Sequence, residues 1–154
     1  MHPDRAPEPS ALLINGTVGV GKTSVAEAVG ALLAENGVPH AVIDLDRLSQ
    51  SWPTPSGDRF NAGVVEDHED RQRFGDAVGV DLSVCRLHVE LPVVHRRLAR
   101  RHENEPEALR WHLARSGELA GILDRAAVED FGVDATTHSV AETAAAVMEA
   151  ARWQ

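Results

Sequence analysis

Eight residues constrain what this chain can fold into more than any others. Gly16-Thr17-Val18-Gly19-Val20-Gly21-Lys22-Thr23 fits G-x-x-x-x-G-K-[ST] at every fixed position. The apolar run Ala11-Leu12-Leu13-Ile14 predicts a short buried strand before it, and an alanine-rich helical pattern starts at Ser24. Strand, glycine loop and helix are the context in which such a loop cradles phosphate. The glycines let the backbone curl round an anion with its N–H groups inward, and the helix N-terminus adds partial positive charge. Lys22 then reaches the β- and γ-phosphates, and the Thr23 hydroxyl is placed for Mg²⁺. The nucleotide contacts expected here are Gly16 through Thr23, followed by Ser24. Of the 15 basic residues Lys22 is the only lysine, so a compact ammonium stands where this chemistry uses one. Gly16, Gly19 and Gly21 do not make G-x-G-x-x-G in any register, which excludes the dinucleotide fingerprint.

With 154 residues, 43% of them hydrophobic, the chain suits one domain over 11–154 behind a Pro-rich, charged lead-in over 1–10 expected to be disordered. The net charge of -9 argues against nucleic acid and anionic membrane as partners and leaves any anion site to local clusters of arginine. A single cysteine, Cys85, rules out an internal disulfide and reads as a buried, inert thiol in a strand. The lead-in has no apolar h-region and no later run reaches membrane-spanning length, so a cytoplasmic protein is expected. The eight histidines show no zinc-ligand spacing.

A first helix is expected over 23–35, with Val25, Val29, Leu32 and Leu33 on one face and Asn36-Gly37 ending it. His40-Ala41-Val42-Ile43 predicts a second strand, which makes a βαβ unit and brings Asp44 and Asp46 to the sheet edge that carries the phosphate loop. On extended backbone, alternation puts both carboxylates on one side. They can serve metal and acceptor there, or merely cap the next element.

GTVGVGKTS followed by VIDLDRL resembles the small P-loop kinases of metabolites, the adenylylsulfate, shikimate and gluconate kinase group. The resemblance implies ATP and Mg²⁺ as cofactors, Asp44 near the Mg²⁺, Asp46 on the acceptor and Arg47 on an anionic part of it. The chain departs from that group between Asp46 and a third strand expected at Ala62-Gly63-Val64-Val65. Only residues 47 to 61 lie between, broken by Pro53 and Pro55, and parallel strands need a longer crossover. Trp52 in this loop could line an acceptor pocket or pack over the sheet edge.

Beyond it, residues 66–74 run from acids to bases as a solvated helix, with Glu66 a candidate for the acid that ends strand three in P-loop proteins. A fourth strand is expected over 82–89. Pro92 then opens a helix on which Arg96 and Arg100 share one face, and Arg97 and Arg101 the next. By resemblance these belong to an arginine-bearing lid, with Arg100 or Arg101 stabilising the transferring phosphoryl group and 102–105 as the lid turn. The competing reading is a solvated basic face. A long helix runs from Pro106 to Arg125, with Arg110 and Arg115 as secondary lid residues and Trp111 and His112 as packing residues. A fifth strand spans 128–133. The resemblance implies that residues 135–138 contact the base, before a capping box at Ser139 and Glu142.

The sequence therefore predicts a three-layer α/β P-loop domain with a mostly parallel sheet of about five strands. It further predicts ATP-dependent phosphoryl transfer to a small metabolite, with Lys22, Asp46, Arg100 and Arg101 as catalytic residues and Thr23 and Asp44 on the metal. The alternative is a nucleotide-binding regulatory or inactive relative that has lost its acceptor site.

Overall fold

The computed structural model describes residues 8–48 and 64–153. Strand β1 (Ser10–Asn15) leads through the glycine loop into helix α1 (Lys22–Glu35). A single helical turn, α2 (Leu45–Leu48), and helix α3 (His68–Val78) precede strand β2 (Asp81–His88). Helices α4 (Leu91–Arg101) and α5 (Pro106–Ala126), strand β3 (Phe131–Asp134) and helix α6 (Val140–Ala151) complete the order.

Both strand pairings are parallel, in the order β1-β2-β3, with Asn15 opposite Arg86 and Cys85 opposite Phe131. Period-two alternation sorts their side chains into two apolar layers. Leu12, Ile14, Cys85 and Leu87 join the α1 and α6 residues Val25, Val29, Ala144 and Val147 on one face. Leu13 and Val84 join Phe74 of α3, Ala126 of α5, Val65 and Val128 on the other. Helices thus cover both faces of a parallel sheet, as the sequence leads one to expect.

The sheet has three strands among the described residues rather than about five. Residues 40–43, expected as the second strand, form no ladder. Val42 and Ile43 are 48% and 63% exposed, and a Cβ built on Gly30 would come within 2.6 Å of Val42 Cγ2. This segment therefore lies against the outside of α1. Of the expected third strand, residues 62 and 63 lie outside the described residues, and Val64 and Val65 are not in a strand. Val65 is held next to β1 by a side chain: Asn15 Nδ2 donates to the Val65 carbonyl at 2.9 Å, and the Val65 N–H donates to Asn15 Oδ1 at 3.3 Å. One amide side chain does the work of a ladder step, so neither backbone group is left unpaired. The loop carrying Trp52 and the lead-in over 1–7 also lie outside the described residues.

Cap chemistry follows the sequence closely. Asn36 ends α1 with Gly37 in the left-handed region, Pro92 sits in the first turn of α4, and Ser139 and Glu142 form a complete capping box on α6. Helix α3 runs longer than expected, through Gly75 to a left-handed Gly79, with Asp67 accepting from the Asp70 N–H at its start.

Candidate nucleotide site

Two glycines of the loop are required by its packing. Gly16 has φ 153°, and a Cβ there would lie 2.8 Å from Val20 Cγ2 and 2.9 Å from the Leu87 carbonyl. Gly19 has φ 86°, and its Cβ would lie 3.1 Å from both Val94 and Leu98 of α4. A side chain at either position meets both left-handed strain and a neighbour. The loop is thus pressed against β2 and α4. Its last glycine, Gly21, is the N-cap of α1, and that helix start has no side-chain cap and no acid in its first turn. The inner N–H groups there have no side-chain acceptor, which is the condition of a helix end that takes an anion from solution.

Lys22 folds back over the loop, its Nζ donating to the Gly16 carbonyl at 2.8 Å and the Thr17 carbonyl at 3.2 Å. Burial pulls its ammonium down to about 8, with Asp46 pushing the value up and Arg101 pushing it down. Two residues singled out from the sequence, Asp46 and Arg101, are therefore within electrostatic reach of Lys22. The loop lysine is desolvated and held by two carbonyls that a phosphate oxygen can outbid as a partner.

The acids after residue 43 do not sit as alternation on a strand would place them. Asp44 Oδ1 accepts from the Asp46 N–H at 3.0 Å, which starts the turn Leu45–Leu48, and Asp46 lies within that turn. Asp44 thus caps this turn through one of its carboxylate oxygens. Arg47, its side chain 80% exposed, stands 3.9 Å from the Asp44 carboxylate.

The arginines of α4 line an open cavity of about 400 Å³ with Val93. Arg97 Nη1 donates to the Val20 carbonyl of the glycine loop at 3.4 Å, so Arg97 joins Arg101 on the loop side of the helix. Arg97, Arg100 and Arg101 are all exposed, and of the three it is Arg101 that acts on Lys22. Sequence spacing put Arg97 and Arg101 on one face without showing which face the loop would meet. A second cavity of about 330 Å³ opens between Thr17 and Val20 of the loop and Arg86, Glu90 and Pro92.

Helix α5 reaches the loop as well. The Thr17 hydroxyl donates to the Ser116 carbonyl at 2.7 Å, and Arg115 Nη2 donates to Glu66 Oε1 at 2.6 Å. Arg115 therefore serves the segment after Val65 instead of hanging free in a lid. His112 stacks on His102 at 4.4 Å, and Trp111 meets His112 edge-on. Trp111 is otherwise 54% exposed, so it packs less than its size suggested. Burial, His102 and Arg101 hold the His112 imidazole below its usual value against the pull of Glu105. In the loop at 134–138, Ala135 is buried and Thr136 Oγ1 accepts from the Glu90 N–H, which ties the loop to the end of β2. Cys85 is fully buried, and burial pushes its thiol up to about 12.

Sequence reading missed Asn15, which is fully buried. The available signal was an amide side chain ending an apolar strand one residue before the phosphate loop, where an aliphatic residue would satisfy the pattern.

Together these features describe a parallel α/β fold with a phosphate-type loop at the carboxyl end of β1. Among solved structures the chain is similar to a gluconokinase from Sinorhizobium meliloti 1021, with a TM-score of 0.49 and 20% identity over 95% of this chain and 97% of that chain. No family model and no curated protein matches the sequence. Among the described residues no helix is long and apolar enough to cross a membrane.

Proposed function

We propose that this chain binds ATP with Mg²⁺ and transfers the γ-phosphoryl group to a small metabolite. The observation that carries the reading is the state of Lys22: a desolvated ammonium held over a left-handed glycine loop, with Asp46 and Arg101 in electrostatic reach. In this reading the loop from Gly16 to Ser24 holds the triphosphate, with Lys22 releasing the Gly16 and Thr17 carbonyls for phosphate oxygens.

The donor set suits a hard cation: the Thr23 side chain is exposed at the start of α1, and the nearby acids offer oxygen only. Among the described residues no group of three or more His, Cys, Asp or Glu could hold a metal alone, so Mg²⁺ would share phosphate oxygens and water with Thr23. Asp44 and Glu66 are its candidate acids. When bound, the ion neutralises charge that develops on the phosphates. Asp46 would take the proton of the acceptor hydroxyl, and Arg101, with Arg97 beside it, would face the charge on the transferring group. Most of the rate would come from position and electrostatics. The acceptor is a small hydroxylated or anionic molecule, and cytoplasmic action is part of the same reading.

A second reading, a nucleotide-binding relative without turnover, draws on Asp44: one of its two carboxylate oxygens is engaged in capping α2. Incubation with ATP, Mg²⁺ and a panel of sugar acids and polyols separates the two. Acceptor-dependent release of ADP supports the kinase. Saturable ATP binding without release supports the binder, and absence of both binding and release contradicts both readings.

A further inference from the structure

Two pairs of consecutive residues, Val65 with Glu66 and Arg115 with Ser116, close into a ring with Asn15 and Thr17 beside the glycine loop. Asn15 holds Val65 by both backbone groups, at 2.9 and 3.3 Å. Glu66, next in the chain, accepts from Arg115 Nη2 at 2.6 Å. Ser116, next after Arg115, accepts the Thr17 hydroxyl at 2.7 Å, and Thr17 is two residues from Asn15. The members are largely out of water: Asn15 and Ser116 are fully buried, Thr17 is 5% exposed, and the Arg115 and Glu66 side chains are 22% and 26% exposed. Each contact therefore acts at reduced screening.

The ring joins the first turn of the phosphate loop, the segment entering α3 and the helix that returns from the lid. Asn15 directly precedes Gly16 and fixes Val65 beside it, so Glu66 stands at the end of β1 from which the loop springs. Arg115 fixes the direction of its carboxylate, leaving Oε2 without a hydrogen bond to Arg115. The bonded pair holds that carboxylate in one orientation, which is what an acid accepting from a metal-bound water requires.

We propose that Asn15 and Arg115 are positioning residues that set Glu66 for the magnesium of a nucleotide in the loop. This rests on the ATP reading above. In this proposal Asn15 and Arg115 act through Glu66, by their contacts to Val65 and to the Glu66 carboxylate. Loss of either contact frees the carboxylate and leaves the loop amides and Lys22 in place, so the metal's contribution falls while metal-free binding stays.

The test is ATP affinity by calorimetry, with Mg²⁺ and with EDTA, for wild type, Asn15→Leu, Arg115→Gln, Arg115→Lys and Glu66→Gln. Wild type should bind more tightly with Mg²⁺ than without. Asn15→Leu, Arg115→Gln and Glu66→Gln should each lose about tenfold of that gain, the lower end for residues that orient a metal-directed group. EDTA affinity should stay within about twofold, and Arg115→Lys should recover part of the gain because it restores the charge beside Glu66. Equal loss with and without metal, or an undiminished gain in Glu66→Gln, overturns the proposal. Should Asn15→Leu fail to fold, the Arg115 and Glu66 variants decide alone. Wild type that binds no ATP under either condition overturns the nucleotide reading itself, and wild type that binds ATP equally with and without Mg²⁺ overturns only the present proposal.

Discussion

Asp130 accepts two hydrogen bonds from Arg71 Nη2, one at each carboxylate oxygen and both at 2.8 Å. The same carboxylate accepts from the Val84 N–H at 2.8 Å, and Arg71 Nη1 also donates to the Val128 carbonyl. One ion pair thus ties α3 to β2 and to the residues entering β3.

The pair makes stability depend on acid. Partial burial works to raise the Asp130 carboxyl, but the Val84 N–H and the Arg71 guanidinium outweigh it and hold the group below its usual 3.8. A carboxylate depressed in the fold contributes stability that is present above 3.8 and is lost as pH falls through the lower folded value. The side chains are 27% and 43% exposed, so Asp130→Ala should cost about 1 kcal/mol at pH 7, less than a buried charged hydrogen bond. Urea unfolding of both proteins at pH 7 and near pH 3 checks this: the gap should narrow in acid.

Gly19 and Gly21 separate two costs that a glycine loop can carry. Both have left-handed φ, 86° and 93°, but only at Gly19 does a built Cβ meet neighbours, Val94 and Leu98. Gly21→Ala should cost about 1–2 kcal/mol of backbone strain, and Gly19→Ala more than that, because fully buried Leu98 must also shift. Thermal unfolding should rank the wild type first and Gly19→Ala last.

Arg100 and Arg101 are neighbours with different prospects. Arg101 acts on Lys22 and Arg100 does not figure among the groups that do. In the kinase reading, Arg101→Ala should lower kcat by about 10³-fold, the lower figure for an arginine facing a transferring phosphoryl group, and Arg100→Ala should leave it within about tenfold. Steady-state ADP release with a productive acceptor measures both.

Cys85 should be silent toward alkylating agents in the native protein. It is fully buried, and its thiol stays protonated up to about 12, so the reactive thiolate is absent at pH 8. Mass spectrometry after iodoacetamide treatment should find it unlabelled in buffer and fully labelled in urea.

The parts of this molecule legible in the sequence are those fixed by local rules. The loop and α1 followed from glycines and a lysine at set spacing, and the capping box at Ser139 from two residues three apart. The three strands that formed are apolar runs covered on both faces, as in Leu82 through Val89. The runs at 40–43 and 64–65 carry β-branched residues too, but whether such a run pairs is decided by what lies beside it. Val42 found Gly30 of α1, and Val65 found the side chain of Asn15. The same holds for the site. Lys22 was legible from its motif, whereas the ties from Thr17 to Ser116 and from Glu66 to Arg115 span 99 and 49 residues and leave no periodic trace. Asp44 and Asp46 were legible as a pair, but the choice between extended and helical backbone fell to Asp44's own capping bond.

Titration of the protein with ATP and Mg²⁺ in a calorimeter, for wild type and Lys22→Ala, bears on the whole reading most directly. Wild type should bind saturably with one site per chain, and the variant should lose at least about tenfold in affinity with the loss of a charge-assisted contact to phosphate. Equal affinity in the two proteins, or no binding by wild type, contradicts it.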